Sequence, residues 1–207
     1  MCDERVEEIC RRLTISLGNP HSELTYTSDY MFVVAVVLSA QTTDVQVNRV
    51  TSNLFRERRT PDDILKLGLD GLTREIHSIG LYRNKAKHII ALSQMLKEKF
   101  NSLIPSSRED LESLPGVGRK SANVIMNILF HCPTIAVDTH VLRLSQRLGL
   151  SQKKDPLGVE KDLEKIIPRI YKQDVGNLLV LHGRYICKAR KPECSRCVLR
   201  DLCQVNS

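Results

Sequence analysis

The sequence predicts an all-α protein. Apolar residues recur at helical spacing almost throughout, no hairpin signal punctuates the chain, and no strand–helix alternation of the βαβ type occurs. With 207 residues, 42% hydrophobic and 27% charged, the chain can bury a substantial core and is too apolar to be disordered. It contains no internal repeat and no low-complexity segment.

Taken in order, Val6, Ile9, Cys10, Leu13 and Leu17 share one face of a first helix, which Gly18 and Pro20 stop. In "SDYMFVVAVVLSAQ", Ser28 is placed to cap the apolar run that follows. That run is β-branched and would suit a buried strand, but its helical neighbours favour a buried central helix. "DVQVNRVTSNLFRER" sets Val47, Val50, Leu54 and Phe55 on one face. "TPDDILKLG" opens with Thr60 as cap, Pro61 at the first helical position and acids in the first turn. A short helix from about Asp70 to Ser78 should end at Gly80. "RNKAKHIIALSQMLKEKF" is a long amphipathic helix with Ala86, Ile89, Ile90 and Leu96 inward. "SSREDLESL" is a short capped helix, and the helix after it runs to about Phe130. Beyond Pro133, "DTHVLRLSQRLG", "VEKDLEKIIP" and "DVGNLLVLHGRYIC" are three more helical patterns.

The net charge of +7 suggests a polyanionic partner, although basic composition alone is weak evidence. The charged, amphipathic start "MCDERVEEICRRL" lacks the apolar core of a secretory signal. The longest apolar run, Met31 to Leu38, falls far short of the roughly 20 residues that span a bilayer. A soluble, intracellular protein without membrane contact is expected. Seven cysteines, an odd count, argue against a fully paired disulfide framework. Cys2, Cys10 and Cys132 are scattered and read as inert or buried thiols.

Residues 114–130, "LPGVGRKSANVIMNILF", join two helices through only "PGVG". So tight a connection needs left-handed backbone, which glycine tolerates, and the result is a helix–hairpin–helix. Gly116 and Gly118 leave backbone N–H groups bare at the N-terminus of the second helix, where an anion such as a DNA phosphate is favoured. A plain helical turn is the bland alternative. Lys120 is harder to place, because a cation at a helix N-terminus opposes the helix dipole. As a nucleophile it must lose its proton, and a helix N-terminus beside Arg119 disfavours the charged form.

The last four cysteines follow C-x6-C-x2-C-x5-C from Cys187 to Cys203. Four thiolates so spaced bind metal, and a four-sulfur set suits zinc and an iron–sulfur cluster alike. Lys188, Arg190 and Lys191 make the first loop of this knot basic and suited to phosphate contact.

"LPGVGRK", "VDTHVLR" at 137–143 and the four terminal cysteines together resemble the endonuclease III family of helix–hairpin–helix DNA glycosylases, over nearly the whole chain. The resemblance implies two helical domains flanking a DNA-binding groove. One is a six-helix bundle, residues 22–132, bearing the hairpin. The other, residues 1–21 with 133–207, is an iron–sulfur cluster domain. It implies base-excision repair of duplex DNA carrying damaged bases or abasic sites: oxidised pyrimidines are removed and the abasic site is cleaved by β-elimination through a lysine Schiff base. Lys120 would be the nucleophile and Asp138 its catalytic partner, stabilising the cationic sugar and shuttling protons. Taken alone, "VDTH" is more often a helix cap. Gln41 and Leu81 would enter the duplex to fill the space left by a flipped base. Gly116, Gly118, Arg119, His140 and Lys191 would meet DNA, and Cys187, Cys194, Cys197 and Cys203 would hold a structural 4Fe-4S cluster. A monomer in the cytoplasm, working at the bacterial nucleoid, is expected. An adenine-mismatch glycosylase shares the fold and cysteine spacing but normally lacks the lysine and uses a glutamate near "QT"; this chain has Lys120 and no glutamate in "LSAQTTD". A non-enzymatic DNA-binding module is the other alternative, against which Lys120 with Asp138 argues. Ser121 stands where the family often has threonine.

Overall fold

A computed structural model describes residues 4–18 and 22–206; Cys2 and the predicted helix stop Pro20 lie outside the described residues. The described residues form ten α-helices and short 3-10 turns, with no strand, as the periodicity predicts. The chain divides into two compact units, Ser22–Phe130 and Met1–His21 together with His131–Ser207.

The continuous unit holds α2 (Asp29–Ser39), α3 (Asp44–Glu57), α4 (Pro61–Glu75), α5 (Tyr82–Phe100), α6 (Arg108–Ser113) and α7 (Arg119–Phe130). The β-branched run is helical and forms the axis of the unit. Every residue from Tyr30 to Leu38 in α2 is buried, and α3, α5 and α7 pack around it. A helix apolar on all sides needs such a position, and burial of each large side chain contributes about 1.5–3 kcal/mol. Ser28 caps it, its hydroxyl accepting from the Met31 N–H at 3.3 Å.

The two helices expected between Thr60 and Gly80 form one kinked element. Thr60 and Asp63 close a reciprocal capping box at its start, and Gly68, at φ 74°, kinks it without ending it. Its second half ends at Glu75, earlier than Ser78. On α5, Ala86, Ile89 and Leu96 are buried as predicted, Ile90 is half-buried, and Lys85 is buried without having been expected.

The second unit holds α1 (Glu4–Leu17), α8 (Thr139–Arg147), α9 (Pro156–Ile166) and α10 (Lys172–Tyr185). Both α1 and α8 pack on α10, so Ile9 and Leu13 share a core with Val141, Leu144, Leu178 and Leu179. Arg12 reaches the C-terminal segment, donating to Asp201 Oδ1 at 2.6 Å and to the Val198 carbonyl at 3.0 Å. Cys10 is buried and Cys132 half-buried, neither in a disulfide. Among the described residues no helix is long and apolar enough to cross a membrane.

Candidate DNA interface and metal centre

The hairpin between α6 and α7 requires glycine at one position and leaves space at the other. Gly116 has φ +86°, and a Cβ there would stand 3.0 Å from His88 Cβ and 3.1 Å from Val37 Cγ1. Conformation and packing both demand glycine. Gly118 is not left-handed, and a Cβ there would meet nothing within 4 Å. The expectation of left-handed backbone therefore holds for Gly116 alone. At Gly118 the open space lets an outside group approach the N-terminus of α7, whose first intrahelical bond runs from the Ala122 N–H to the Gly118 carbonyl at 2.9 Å. Arg119 and Lys120 are the first two residues of α7, and both are exposed.

Gln41 and Leu81 share an uncommon state: both are exposed and left-handed, at φ 55° and 59°. Non-glycine residues seldom adopt this conformation. Gln41 follows the end of α2 and Leu81 caps α5. A Cβ on Gly80 would stand 3.8 Å from the Gln41 carbonyl oxygen, so the two turns are neighbours. Gln46 Nε2 braces them by donating to Ser78 Oγ at 3.0 Å. Gly116 packs on Val37 of α2 and His88 of α5, which brings the hairpin to the same region.

Asp138 lies in the other unit. It caps α8, its Oδ1 accepting the His140 and Val141 N–H groups at 2.8 Å each. Its Oδ2 lies 3.2 Å from His140 Nδ1. The cap expected of "VDTH" is thus present, and one oxygen is left beside an imidazole. The helix that starts at Asp138 also supports the cysteine loop. Arg143 Nη2 donates to the carbonyls of Gly183 and Cys187 at 2.9 and 3.0 Å. Arg147 donates to the Lys188 and Ala189 carbonyls at 2.9 and 3.1 Å, and lies 3.3 Å from Cys187 Sγ. The sequence reading missed both arginines. Their spacing on a predicted helix, four apart on one face, was the available signal.

Cys187, Cys194, Cys197 and Cys203 line one cavity of about 100 Å3, walled by Leu144, Leu148 and Ile186. Burial pushes the Cys197 thiol up from its ordinary range, and the other three cysteines push it the same way. Four thiolates are therefore unstable together without a cation among them. The donor set and the cavity fit an iron–sulfur cluster. His182, buried beside it, places Nε2 3.4 Å from Cys197 Sγ. Lys191 is exposed and left-handed at φ 54°. Lys188 and Arg196 share Glu193 at 2.5 and 2.6 Å, so less of the loop's positive charge is available to DNA than its composition suggests.

Residues 34–169 match the HhH-GPD superfamily base excision DNA repair proteins, and residues 187–203 match the iron-sulfur binding domain of endonuclease III. The chain is 49% identical to endonuclease III of Haemophilus influenzae, over 95% of this chain and 93% of that protein. It is 45% identical to endonuclease III of Escherichia coli K12, over the same shares. The solved structure of a trapped endonuclease III–DNA covalent intermediate matches it with a TM-score of 0.93 at 42% identity, covering 100% of this chain and 97% of that one.

Proposed function

The chain belongs to the endonuclease III family of HhH-GPD base excision DNA repair proteins, and on that premise we propose that Lys120 and Asp138 carry its chemistry. The protein is a bifunctional DNA glycosylase and abasic-site lyase with a 4Fe-4S cluster. The observation that carries the assignment is an exposed lysine on the first turn of α7, directly after a hairpin that Gly118 leaves open.

The neutral amine of Lys120 attacks the sugar C1′ as the glycosidic bond breaks. The base leaves with the bonding pair and takes a proton, and the amine loses one. Opening of the sugar gives a Schiff base, and loss of a C2′ proton then expels the 3′ phosphate. Asp138 is the carboxylate for proton transfer and for stabilising the cationic sugar. Two backbone N–H groups fix its Oδ1, so its orientation is set before substrate arrives. His140, held against Asp138 Oδ2, contacts DNA phosphate. The four terminal cysteines hold the cluster, which when bound cross-links the loop that presents Lys191 to the DNA backbone.

Gln41 and Leu81 form the wedge that occupies the duplex when a damaged base is extruded. Their exposure and adjacency support this, since a duplex gap is filled by side chains projecting from one place. The substrates are duplexes with oxidised pyrimidines or abasic sites, and the enzyme works as a cytoplasmic monomer. The decisive experiment mixes protein with an abasic duplex and borohydride, which reduces a Schiff base to a stable bond. A covalent adduct that disappears in Lys120→Ala is expected. An adduct that persists in that variant would remove Lys120 from the nucleophile's role.

A further inference from the structure

Lys85 is the one lysine on α5 that the structure buries, at 4% exposure, and its side-chain partners lie at the end of α2 and on either side of Gln41. Its Nζ donates to the Leu38 carbonyl at 2.8 Å, the Ala40 carbonyl at 2.5 Å and Thr42 Oγ1 at 3.0 Å. An ammonium has three donors, so these acceptors complete its requirement. Ala40 and Thr42 are the residues on either side of Gln41. The Lys85 backbone N–H, meanwhile, donates to the Leu81 carbonyl at 3.1 Å. One residue therefore holds Leu81 with its main chain and both neighbours of Gln41 with its side chain.

We propose that Lys85 is a positioning residue that fixes Gln41 and Leu81 as one preformed wedge. The proposal rests on reading those two residues as the wedge. Both stand in left-handed backbone, a state that a free turn of non-glycine residues leaves readily. The carbonyls at the end of α2 point at the cation, where the helix dipole is negative. Burial pushes the Lys85 ammonium down from its usual range, while three oxygens lie within hydrogen-bond distance of it. An apolar side chain of the same length would fill the space but release the turn. A wedge that must find its shape after meeting DNA loses rate where a nucleotide, an abasic sugar included, has to leave a duplex, and loses nothing where no duplex exists.

The test compares single-turnover borohydride trapping on duplex and on single-stranded DNA, each carrying one abasic site. The readout is the ratio of the two rates. Lys85→Met should lower the duplex-to-single-strand ratio about tenfold, the scale set by hydrogen bonds to a charged group. Thr42→Val, which removes one acceptor and keeps the shape, should lower the same ratio by a smaller factor. A 2-aminopurine beside the lesion should show slower unstacking in both variants. Equal loss on both substrates would overturn the proposal and make Lys85 purely structural. Should Lys85→Met fail to fold, the Thr42→Val ratio decides, and an unchanged ratio there overturns the proposal. Gln41→Ala and Leu81→Ala separate the premise from the inference. If neither changes the ratio, the wedge reading itself fails. If they lower it while Lys85→Met and Thr42→Val do not, only the positioning role fails.

Discussion

At the scale of single residues, Asp138 combines two tasks that substitution can separate. Asparagine keeps an oxygen able to accept the two N–H groups at the start of α8 but loses the charge beside His140. Asp138→Asn should keep DNA affinity and stability while single-turnover cleavage of an abasic duplex falls about 100- to 10,000-fold, the range for a lost acid–base group. Asp138→Ala should in addition cost about 1 kcal/mol of thermal stability, because the cap is gone. An asparagine variant losing affinity and turnover in step would move the carboxylate into binding. The cap was legible, since an aspartate before an amphipathic run is a standard helix start. The buried Lys85 was not. On a helical pattern lysine marks the solvated face, and only the arrival of the α2 carbonyls gives its charge a partner.

At the scale of elements, the hairpin glycines should behave differently. Gly116→Ala forces a left-handed alanine against His88 and Val37, and should destabilise the fold by about 1–3 kcal/mol in denaturant titrations. Gly118→Ala meets nothing in the protein and should melt like the parent. Its loss should fall on DNA affinity, measured by anisotropy on an abasic duplex, because the added methyl occupies the approach to the α7 terminus. Equal melting of the two variants would contradict this division. The helix α1 offers a pH test. Glu8 accepts from Arg11 and Arg12 at 2.7 Å, which lowers its carboxyl from an ordinary 4.5 to about 2. A folded value below the unfolded one contributes stability that is complete above pH 4.5 and lost as pH falls toward 2. Glu8→Gln should flatten the urea midpoint across that window and leave its slope at neutral pH unchanged. Sequence periodicity found α1 and its buried face because one stripe of apolar residues suffices. It could not decide α2 unaided, because a run buried on every side has no periodicity, and the helical neighbours carried that choice.

At the scale of the molecule, removing iron should act on one unit. The four cysteines and their supporting arginines belong to the unit of α1 and α8–α10, while α2–α7 form a core of their own. Chelation should raise hydrogen exchange across residues 187–203 and α10 and leave α2–α7 protected. Uniform loss of protection would show that the cluster holds the whole chain. The cysteine spacing was legible as a metal site; spacing alone left zinc and a cluster open, because both take four thiolates, and the resemblance to endonuclease III decided for the 4Fe-4S cluster. Partners across the chain came from the resemblance, which joins residues 1–21 with 133–207, and not from local pattern. The apolar face of α1 was plain, whereas its packing on α10 depends on folding that no local pattern records.

That last pairing has a consequence for synthesis. Helix α1 is made well before α10, on which it packs, and at about 5–20 residues per second it waits on the order of ten seconds for that partner. Throughout that interval Ile9 and Leu13 have no core to enter, while the bundle from Ser22 to Phe130 can already close. The nascent chain therefore carries a folded bundle and an unsatisfied α1, a natural handle for chaperones and a liability when many copies are made at once.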